Sequence, residues 1–263
     1  CVDTPEGLDA LVADIRSAAP AALSVDTETD SVRPMQAELV GISLAWKAGT
    51  GVYIPVRGPL GATVLNVDLV HEKIGPLLAD ERIEKIGQNL KYDLTVLKNA
   101  GFALAGPAFD TMIAAHVLDA TRLTYKLDAL AAEFLNHRCI PIEDVIGRGR
   151  NQISMAAAPI EAVAVYSAED AEVAFRLAGA LKPLLDREGL MPLMTDLEMP
   201  LMPVLAGMEQ AGIRVDPDRL RAMESRLSKK ADELRERILD SAGEVFNPDS
   251  PCQLATILFD RLH

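Results

Sequence analysis

Three strand-like segments lie close together near the start of the chain, and their spacing restricts how it can fold. Residues 22–26, 38–46 and 51–56 are rich in apolar, β-branched and aromatic side chains, and glycines bound the second and third segments. Short connections join neighbouring strands in an antiparallel arrangement. The sequence therefore predicts a three-stranded antiparallel meander, with Pro55 suited to an edge strand or a strand end.

After residue 60 the pattern changes to an alternation of strands and helices. Strands are predicted at 83–88 and 108–110, and helices at 68–78, 93–100, 111–118 and 127–134. Gly101 is suited to close the second of these helices, because glycine tolerates the left-handed conformation that often follows a helix. A meander followed by this alternation predicts an α/β fold: a mixed five-stranded sheet, three antiparallel strands then parallel strands, flanked by helices.

The last third of the chain is predicted to be helical after a loop at 139–158. Long helices are predicted at 159–181, 191–211 and 216–242, the first opened by Pro159. Residues 1–187 are predicted to form one compact domain. Residues 188–263 cannot close a core alone, so they are expected to begin a second domain whose remainder lies outside this sequence. Both ends are expected to be cut from a longer protein.

Composition and charge exclude several classes of protein. Of 263 residues, 49% are hydrophobic and 25% charged, which excludes a disordered or fibrous chain. No apolar run is long enough for a membrane span, and no secretory signal is present. The net charge of −13 argues against holding nucleic acid by bulk charge. It does not exclude action on nucleic acid through metal ions, because metal sites require carboxylates.

The cysteines and histidines do not form a recognisable metal motif. The three cysteines are Cys1, Cys139 and Cys252. Because they are odd in number and far apart, neither a disulfide framework nor a structural zinc site is predicted, and a reducing cytoplasm is expected. Three histidines lack metal-ligand spacing and are predicted to be structural: His71, His116 and His137.

Acidic side chains follow predicted strands and recur on a late helix. Asp26 and Glu28 are two positions apart at the end of a strand, so both carboxylates point to one face. Asp93 follows a later strand, predicted at 83–88, and Tyr166 and Asp170 share a helix face. Converging carboxylates would raise one another's pKa values, and divalent cations would relieve the repulsion. Oxygen ligands favour Mg²⁺ or Mn²⁺, and two such ions can promote an in-line phosphoryl displacement.

Each part of this set has an ordinary alternative. Asp93 can be a solvated acid in a first helical turn, and Tyr166 a core aromatic residue with its hydroxyl at the rim.

The ordered set of acids and tyrosine is more specific than any one of its members. It resembles the DEDDy 3′–5′ exonucleases, which have a ribonuclease H-like fold. More segments resemble the proofreading domain of the bacterial DNA polymerase I family, within the family A polymerases: VDTETDS at 25–31, LVGIS at 39–43, YIPV at 53–56, KIGQNLKYD at 85–93, FDTM at 109–112 and YSAEDA at 166–171. Residues 198–205 and 212–216 resemble the stretch that leads into the polymerase domain.

The resemblance implies a catalytic set of five residues. Asp26, Glu28, Asp93 and Asp170 would bind two divalent ions, Mg²⁺ or Mn²⁺, with Asp26 shared between them. Tyr166 would orient the attacking water, with assistance from Glu28. Because Mg²⁺ is held by few protein carboxylates plus substrate phosphate, one or both ions are expected to bind fully only with DNA.

The resemblance also implies a substrate-binding set. Thr29 would approach the 3′ nucleotide, Val32 would wedge between the last two bases, and Asn89 would support the substrate end. Arg148 and Arg150 lie in a glycine-rich loop that can grip phosphates of the single strand. The same loop can equally be a solvated turn.

The implied reaction is hydrolysis of the 3′-terminal phosphodiester of single-stranded or frayed DNA, releasing deoxynucleoside monophosphates. The longer protein is expected to be a template-directed DNA polymerase. It is expected to be a cytoplasmic monomer with no membrane partner. Two alternatives stay open: an RNA-trimming DEDDy exonuclease, and a catalytically silent structural or DNA-binding module.

Overall fold

The computed structural model describes residues 1–261, and a five-stranded mixed sheet organises the first part of the chain. The strands lie in the order β3-β2-β1-β4-β5. Their bounds are β1 Ala22–Thr29, β2 Leu39–Lys47, β3 Thr50–Pro55, β4 Glu84–Gly87 and β5 Pro107–Asp110. The first three strands pair antiparallel, whereas β4 pairs parallel with both β1 and β5. This topology confirms the predicted sheet.

Helices flank the sheet and continue to the end of the described residues. Their bounds are α1 Pro5–Ala18, α2 Val67–Leu78, α3 Leu90–Asn99, α4 Thr111–Leu118, α5 Leu127–Leu135, α6 Ile142–Ile146, α7 Ile160–Arg187, α8 Met191–Leu193, α9 Met199–Ala211, α10 Pro217–Ala242 and α11 Pro251–Ala255. Short 3₁₀ turns at Gly149–Asn151 and Met155–Ala157 interrupt the predicted loop before α7. A π-helical turn joins α8 to α9, and another follows α11.

The sequence predictions leave out α1, although its signals are present. Thr4 caps the helix, because its hydroxyl accepts a hydrogen bond from the Gly7 backbone N–H at 3.1 Å. Pro5 occupies the first turn, where its missing N–H has no cost. The buried side chains of Leu8, Leu11 and Ile15 then recur at helical spacing and pack against the sheet.

The alternation of side chains along β1 separates an apolar face from an acidic one. Leu23 and Val25 are fully buried in the cluster formed with α1 and α2. Asp26 and Glu28 have the opposite parity and therefore face α7, on the other side of the sheet. A second apolar cluster joins α4, α5 and α7 to β4 and β5.

The compact unit of the fold extends through Ala211. Met194, Met199 and Met202 bury their side chains in the second apolar cluster, which ties the helices after α7 to the sheet domain. That an independent domain ends at residue 187 stays a prediction. A separate unit begins at Gly212 and contains α10, whose amino end is capped by Asp216. Among residues 1–261, no helix combines the length and the apolar character that crossing a membrane requires.

Candidate active site

Strand β1 presents two carboxylates to one face of the sheet. Asp26 pairs across the sheet with Ser43, and Glu28 with Gly41. Gly41 is required here because a Cβ at this position would lie about 2.3 Å from the ring of Tyr53. The Tyr53 ring consequently packs against β2, next to the strand that carries the two acids.

Helix α7 brings a third carboxylate to this face. Ligand oxygens of Asp26, Glu28 and Asp170 all lie within 4.8 Å of one another. The close approach of α7 depends on Gly51, since a Cβ there would lie 2.1 Å from the carbonyl oxygen of Ala168. Three acids that are distant in sequence therefore converge as expected.

Asp93 reaches the same region from α3. Its side chain is 3% exposed, and its Oδ1 accepts hydrogen bonds from the Thr27 backbone N–H at 2.9 Å and from the Thr27 hydroxyl at 2.6 Å. Asp93 is not within the 4.8 Å group, but burial and then the charge of Asp26 raise its pKa. The structure therefore places Asp93 beside the three converging acids, with its carboxylate fixed by β1.

The turn before α3 is held by a further acid, Asp110, which is buried. Its carboxylate accepts from the backbone N–H groups of Asn89 at 3.1 Å and Leu90 at 2.7 Å. It also caps α4 by accepting from Met112 and Ile113. Asn89 adopts a left-handed conformation with φ of 62°, which asparagine tolerates better than most residues. Sequence reasoning missed this function of Asp110, although the FDTM segment contains it.

Burial raises the pKa values of all four candidate ligands, and the charges of neighbouring acids raise those of Glu28, Asp93 and Asp170 further. Loss of solvent raises the pKa of Asp26 to about 7 and, with the charge of Asp26, that of Asp170 to about 8. Burial, followed by the charges of Asp26 and Asp170, raises the pKa of Glu28 well above its usual range. Burial is also the largest cause for Asp93. Within residues 1–261, none of these acids forms a salt bridge with a lysine, arginine or histidine.

This donor set fits a divalent cation that prefers oxygen. The acids supply only carboxylate oxygens, and their charges are brought together without a cationic side chain to balance them. A bound cation would offset the repulsion that raises their pKa values. The structure thus supports metal binding at this site.

Tyr166 lies one helical turn before Asp170 on α7. Burial and the charges of Asp170, Glu28 and Asp26 raise the pKa of its phenol. The Tyr166 hydroxyl lowers the pKa of Asp170, which is the expected effect of a donor on a carboxylate. The phenol therefore stays protonated and is next to the acidic group, as predicted.

A cleft of about 660 Å³ opens over the acids. It is lined by Asp26, Glu28 and Asp93 and by three of the predicted substrate-binding residues, Thr29, Val32 and Asn89. The Val32 side chain is 91% exposed and lies at the opening. Tyr166 and Asp170 do not line the cleft. Asp170 lies next to Asp26 and Glu28, which do line it.

The two predicted arginines are not brought into the cleft. Arg148 and Arg150 are exposed and lie at the 3₁₀ turn Gly149–Asn151. The segment that follows this turn, residues 152–155, does line the cleft. The two arginines therefore lie beside the cleft and do not line it.

Tyr92 is a cleft residue that sequence reasoning missed. Its hydroxyl donates to the Ser31 carbonyl oxygen at 2.5 Å and also contacts the Thr29 hydroxyl. The Thr29 hydroxyl is 3.0 Å from the same carbonyl. Tyr92 therefore fixes the segment between Asp26 and Val32, and its position one residue before Asp93 was the available signal.

Comparison with known proteins agrees with the family resemblance that the sequence motifs indicate. The chain is 41% identical over 245 residues to DNA polymerase I of Pseudomonas aeruginosa, covering 91% of this chain and 27% of that protein. It is 38% identical to DNA polymerase I of Rhizobium leguminosarum, covering 97% of this chain and 27% of that protein. The chain thus spans about a quarter of the length of these curated relatives.

Solved structures share the fold. The POL domain of Pol1 from M. smegmatis, in complex with DNA primer-template and dNTP, superposes with a TM-score of 0.78 at 24% identity, covering 96% of this chain and 40% of that one. NrnC of Brucella melitensis superposes with a TM-score of 0.59 at 22% identity, covering 75% and 89%. These likenesses confirm the predicted ribonuclease H-like fold.

A family model settles the family itself. The model described as 3′-5′ exonuclease, of the family A DNA polymerases, matches residues 1–186, which include the five candidate catalytic residues. With its mixed sheet and the converging acids on β1 and α7, the chain belongs to this 3′-5′ exonuclease family.

Proposed function

We propose that this chain is a catalytically competent proofreading exonuclease domain. It would hydrolyse the 3′-terminal phosphodiester of single-stranded or frayed DNA and release deoxynucleoside monophosphates. The observation that carries the proposal is the convergence of Asp26, Glu28 and Asp170 within 4.8 Å, with no cationic side chain paired to them among residues 1–261.

The four acids would hold two divalent ions, Mg²⁺ or Mn²⁺, with Asp26 between them. Bound ions supply positive charge that stabilises the attacking and leaving oxygens of the displaced phosphoryl group. The hydrogen bonds from Thr27 fix one oxygen of Asp93, which leaves the other free as a ligand. Substrate phosphate would complete the coordination, so full occupancy would require DNA.

Tyr166 would position the attacking water. Because its pKa is raised, its hydroxyl keeps its proton and can donate to Asp170 while its oxygen accepts a hydrogen bond from water. Glu28 on β1, which faces α7, would assist by accepting a hydrogen bond from the same water. Held between these two groups, the water would be aligned for in-line attack.

The substrate end would lie along the cleft. Thr29 and Asn89 line it at the amino ends of the segment 29–35 and of α3, where they can contact the terminal nucleotide. Val32, exposed at the opening, can insert between the last two bases. Arg148 and Arg150 would contact phosphates of the strand outside the cleft.

A nuclease assay tests the proposal. A single-stranded DNA oligonucleotide labelled at its 5′ end should be shortened from its 3′ end with Mg²⁺ or Mn²⁺, releasing mononucleotides, and EDTA should stop the reaction. Asp26→Asn should lower the rate by about 10³-fold or more, since it removes a ligand charge. The matched control, Asp68→Asn on the exposed first turn of α2, should leave the rate unchanged.

Three outcomes would contradict the proposal. Equal activity of the Asp26→Asn protein and the wild type would exclude the catalytic set. Faster degradation of RNA than of DNA of the same sequence would indicate an RNA-trimming enzyme. Failure to degrade either, with correctly folded protein and both metals, would indicate a catalytically silent module.

The longer protein would be a DNA polymerase, as the names of the relatives suggest. In that protein residues 1–187 would be the exonuclease domain, and residues 188–263 would begin the polymerase domain. We further propose a monomer that acts in the cytoplasm. Free thiols at all three cysteines support a reducing compartment.

A further inference from the structure

A second group of ligand-type side chains lies beside the acidic site. His137, Cys139 and Glu169 each offer one ligand atom, and these atoms all lie within 4.8 Å of one another. His137 and Cys139 come from the connection between α5 and α6, and Glu169 is on α7. Glu169 precedes Asp170 directly, but successive residues of a helix point about 100° apart. The two neighbouring acids therefore serve different groups.

The three side chains are held in place by the surrounding backbone. One oxygen of Glu169 accepts a hydrogen bond from the Ile140 N–H at 2.6 Å, and the other is 2.9 Å from Nε2 of His137. The His137 N–H bonds to the carbonyl oxygen of Ala131, after a left-handed turn at Asn136. Cys139 is 9% exposed. These contacts hold the three side chains in place before any ion binds, and the short connection between α5 and α6 fixes the orientation of His137 and Cys139.

The chemistry of the donors differs from that of the acidic site. An imidazole nitrogen, a thiolate sulfur and a carboxylate oxygen form a set that borderline-soft cations such as Zn²⁺ prefer, whereas Mg²⁺ prefers oxygen alone. Three protein ligands leave a fourth tetrahedral position for water. We propose that His137, Cys139 and Glu169 form a binding site for a thiophilic divalent cation of the Zn²⁺ class, separate from the acidic site.

Binding has a defined proton balance. The cation binds the sulfur of Cys139 as the thiolate, so one thiol proton is released to solvent for each ion bound. The imidazole of His137 binds in its neutral form through one nitrogen. The second oxygen of Glu169 keeps its hydrogen bond from Ile140 and so orients the carboxylate toward the ion.

The position of this group gives the bound cation a structural effect. The connection that carries His137 and Cys139 leads into α6, and Ile142 and Ile146 of α6 line the cleft over the acids. A cation would link this connection to α7. One ion would then fasten the wall of the cleft that α6 forms to the long helix α7.

Cobalt substitution tests the proposal on the full chain. Co²⁺ bound to a thiolate gives an intense charge-transfer absorption that carboxylate sites lack, so it reports Cys139 even when the acidic site also binds metal. We expect saturable absorption at one Co²⁺ per chain, reversed by Zn²⁺. The Asp26→Asn protein should keep it, which separates this site from the exonuclease site.

The decisive variants are Cys139→Ser and Cys252→Ser. Cys252 is an exposed free thiol and serves as the matched control. Loss of the absorption only in Cys139→Ser supports the site, whereas absence of the absorption in wild-type protein, or its persistence in Cys139→Ser, overturns it. His137→Gln retains a hydrogen-bonding side chain toward Glu169 and should weaken Zn²⁺ binding about tenfold or more. Unchanged affinity in that variant would also overturn the proposal.

Discussion

The hydroxyl oxygens of Ser43 and Ser167 lie 2.6 Å apart, and both residues are fully buried between β2 and α7. The Ser167 hydroxyl also lowers the pKa of the Glu28 carboxyl, against the larger effect of burial, which is the effect of a donor on a carboxylate. A hydroxyl has one proton, so if Ser167 donates to Glu28, Ser43 must donate to Ser167. The two serines thus form a directed chain that ends on a candidate metal ligand.

Removal of the Ser167 hydroxyl should impair the exonuclease without unfolding it. A hydrogen bond to a charged group contributes about 1.5–3 kcal/mol, so Ser167→Ala should lower kcat by roughly 10- to 100-fold. KM for DNA should change little, because Ser167 does not line the cleft. Ser24→Ala is the matched control, since Ser24 is buried on β1 and its hydroxyl has no partner among the described residues. Equal kcat in the two variants would exclude a positioning role for Ser167.

Asp26→Asn should stabilise the metal-free protein at pH 8. Unfolded aspartate titrates near 3.8, whereas burial raises the pKa of Asp26 to about 7. Between these values the folded state holds a proton that the unfolded state has lost, so the free energy of unfolding falls as pH rises from about 4 to 7. Neutral asparagine removes this loss. In EDTA the variant should melt several degrees higher than wild type, since about 1 kcal/mol shifts Tm by about 2–4 °C.

The same comparison at pH 5 provides the control. Only the first part of the loss between about pH 4 and 7 has occurred at pH 5, so the difference in Tm between wild type and variant should be clearly smaller there than at pH 8. A variant that melts below wild type at pH 8 in EDTA would show that the carboxylate is not strained by burial.

Affinity for Mn²⁺ should increase with pH across the neutral range. The pKa of Asp26 is raised to about 7 and that of Asp170 to about 8, mainly by burial, so both must release protons before they bind a cation. Calorimetry in buffers of different ionisation enthalpy should detect proton release that is large at pH 6.5 and small at pH 9. Asp170→Asn should release fewer protons per ion. Affinity that is constant from pH 6 to 9 would contradict these shifts.

The sheet and the pairing of site residues within β1 and within α7 were predictable from local regularities, whereas the meeting of these elements at one site was implied by the family resemblance. Strand parity places Asp26 and Glu28 on one face, and helical spacing places Tyr166 beside Asp170, whatever the rest of the fold does. The change from antiparallel to parallel strands required only the short early connections and the later alternation with helices. Strand alternation and helical spacing extend over many residues, so an error at a single position does not change the predicted sheet.

The supporting contacts were not predictable, because they join residues distant in the chain. Thr27 is 66 positions from Asp93, and Ser43 is 124 positions from Ser167. Neither serine nor threonine has a spacing that distinguishes a positioned hydroxyl from a solvated one. The prediction that His137 is structural rested on the sequence spacing of the histidines. That spacing gives no information about Glu169, which α7 brings next to His137 in the fold.

Tyr92→Phe should weaken substrate binding more than catalysis. The Tyr92 hydroxyl holds the Ser31 carbonyl and the Thr29 hydroxyl, so its removal loosens the segment that carries Val32. We expect KM for single-stranded DNA to rise about three- to tenfold, with kcat nearly unchanged, because one neutral hydrogen bond contributes about 1 kcal/mol. Tyr125→Phe loses a comparable hydroxyl, 3.0 Å from the Asp119 carbonyl and outside the cleft. An equal effect of both variants on KM would contradict this role.

Asp110→Ala should be among the most destabilising substitutions at a polar position. Its buried carboxylate accepts from four backbone N–H groups, at the amino ends of α3 and α4. Leaving buried donors without an acceptor costs about 1–3 kcal/mol for each group that water cannot reach, so we expect a total loss of roughly 3 kcal/mol or more. Asn66→Ala removes a cap that is exposed and accepts from one N–H, and should cost about 1 kcal/mol. Urea denaturation measures both. Because α3 carries Asn89 and Asp93, the Asp110 variant should also lose exonuclease activity at temperatures where it is still folded; full activity there would mean that the two helix ends keep their positions without the carboxylate.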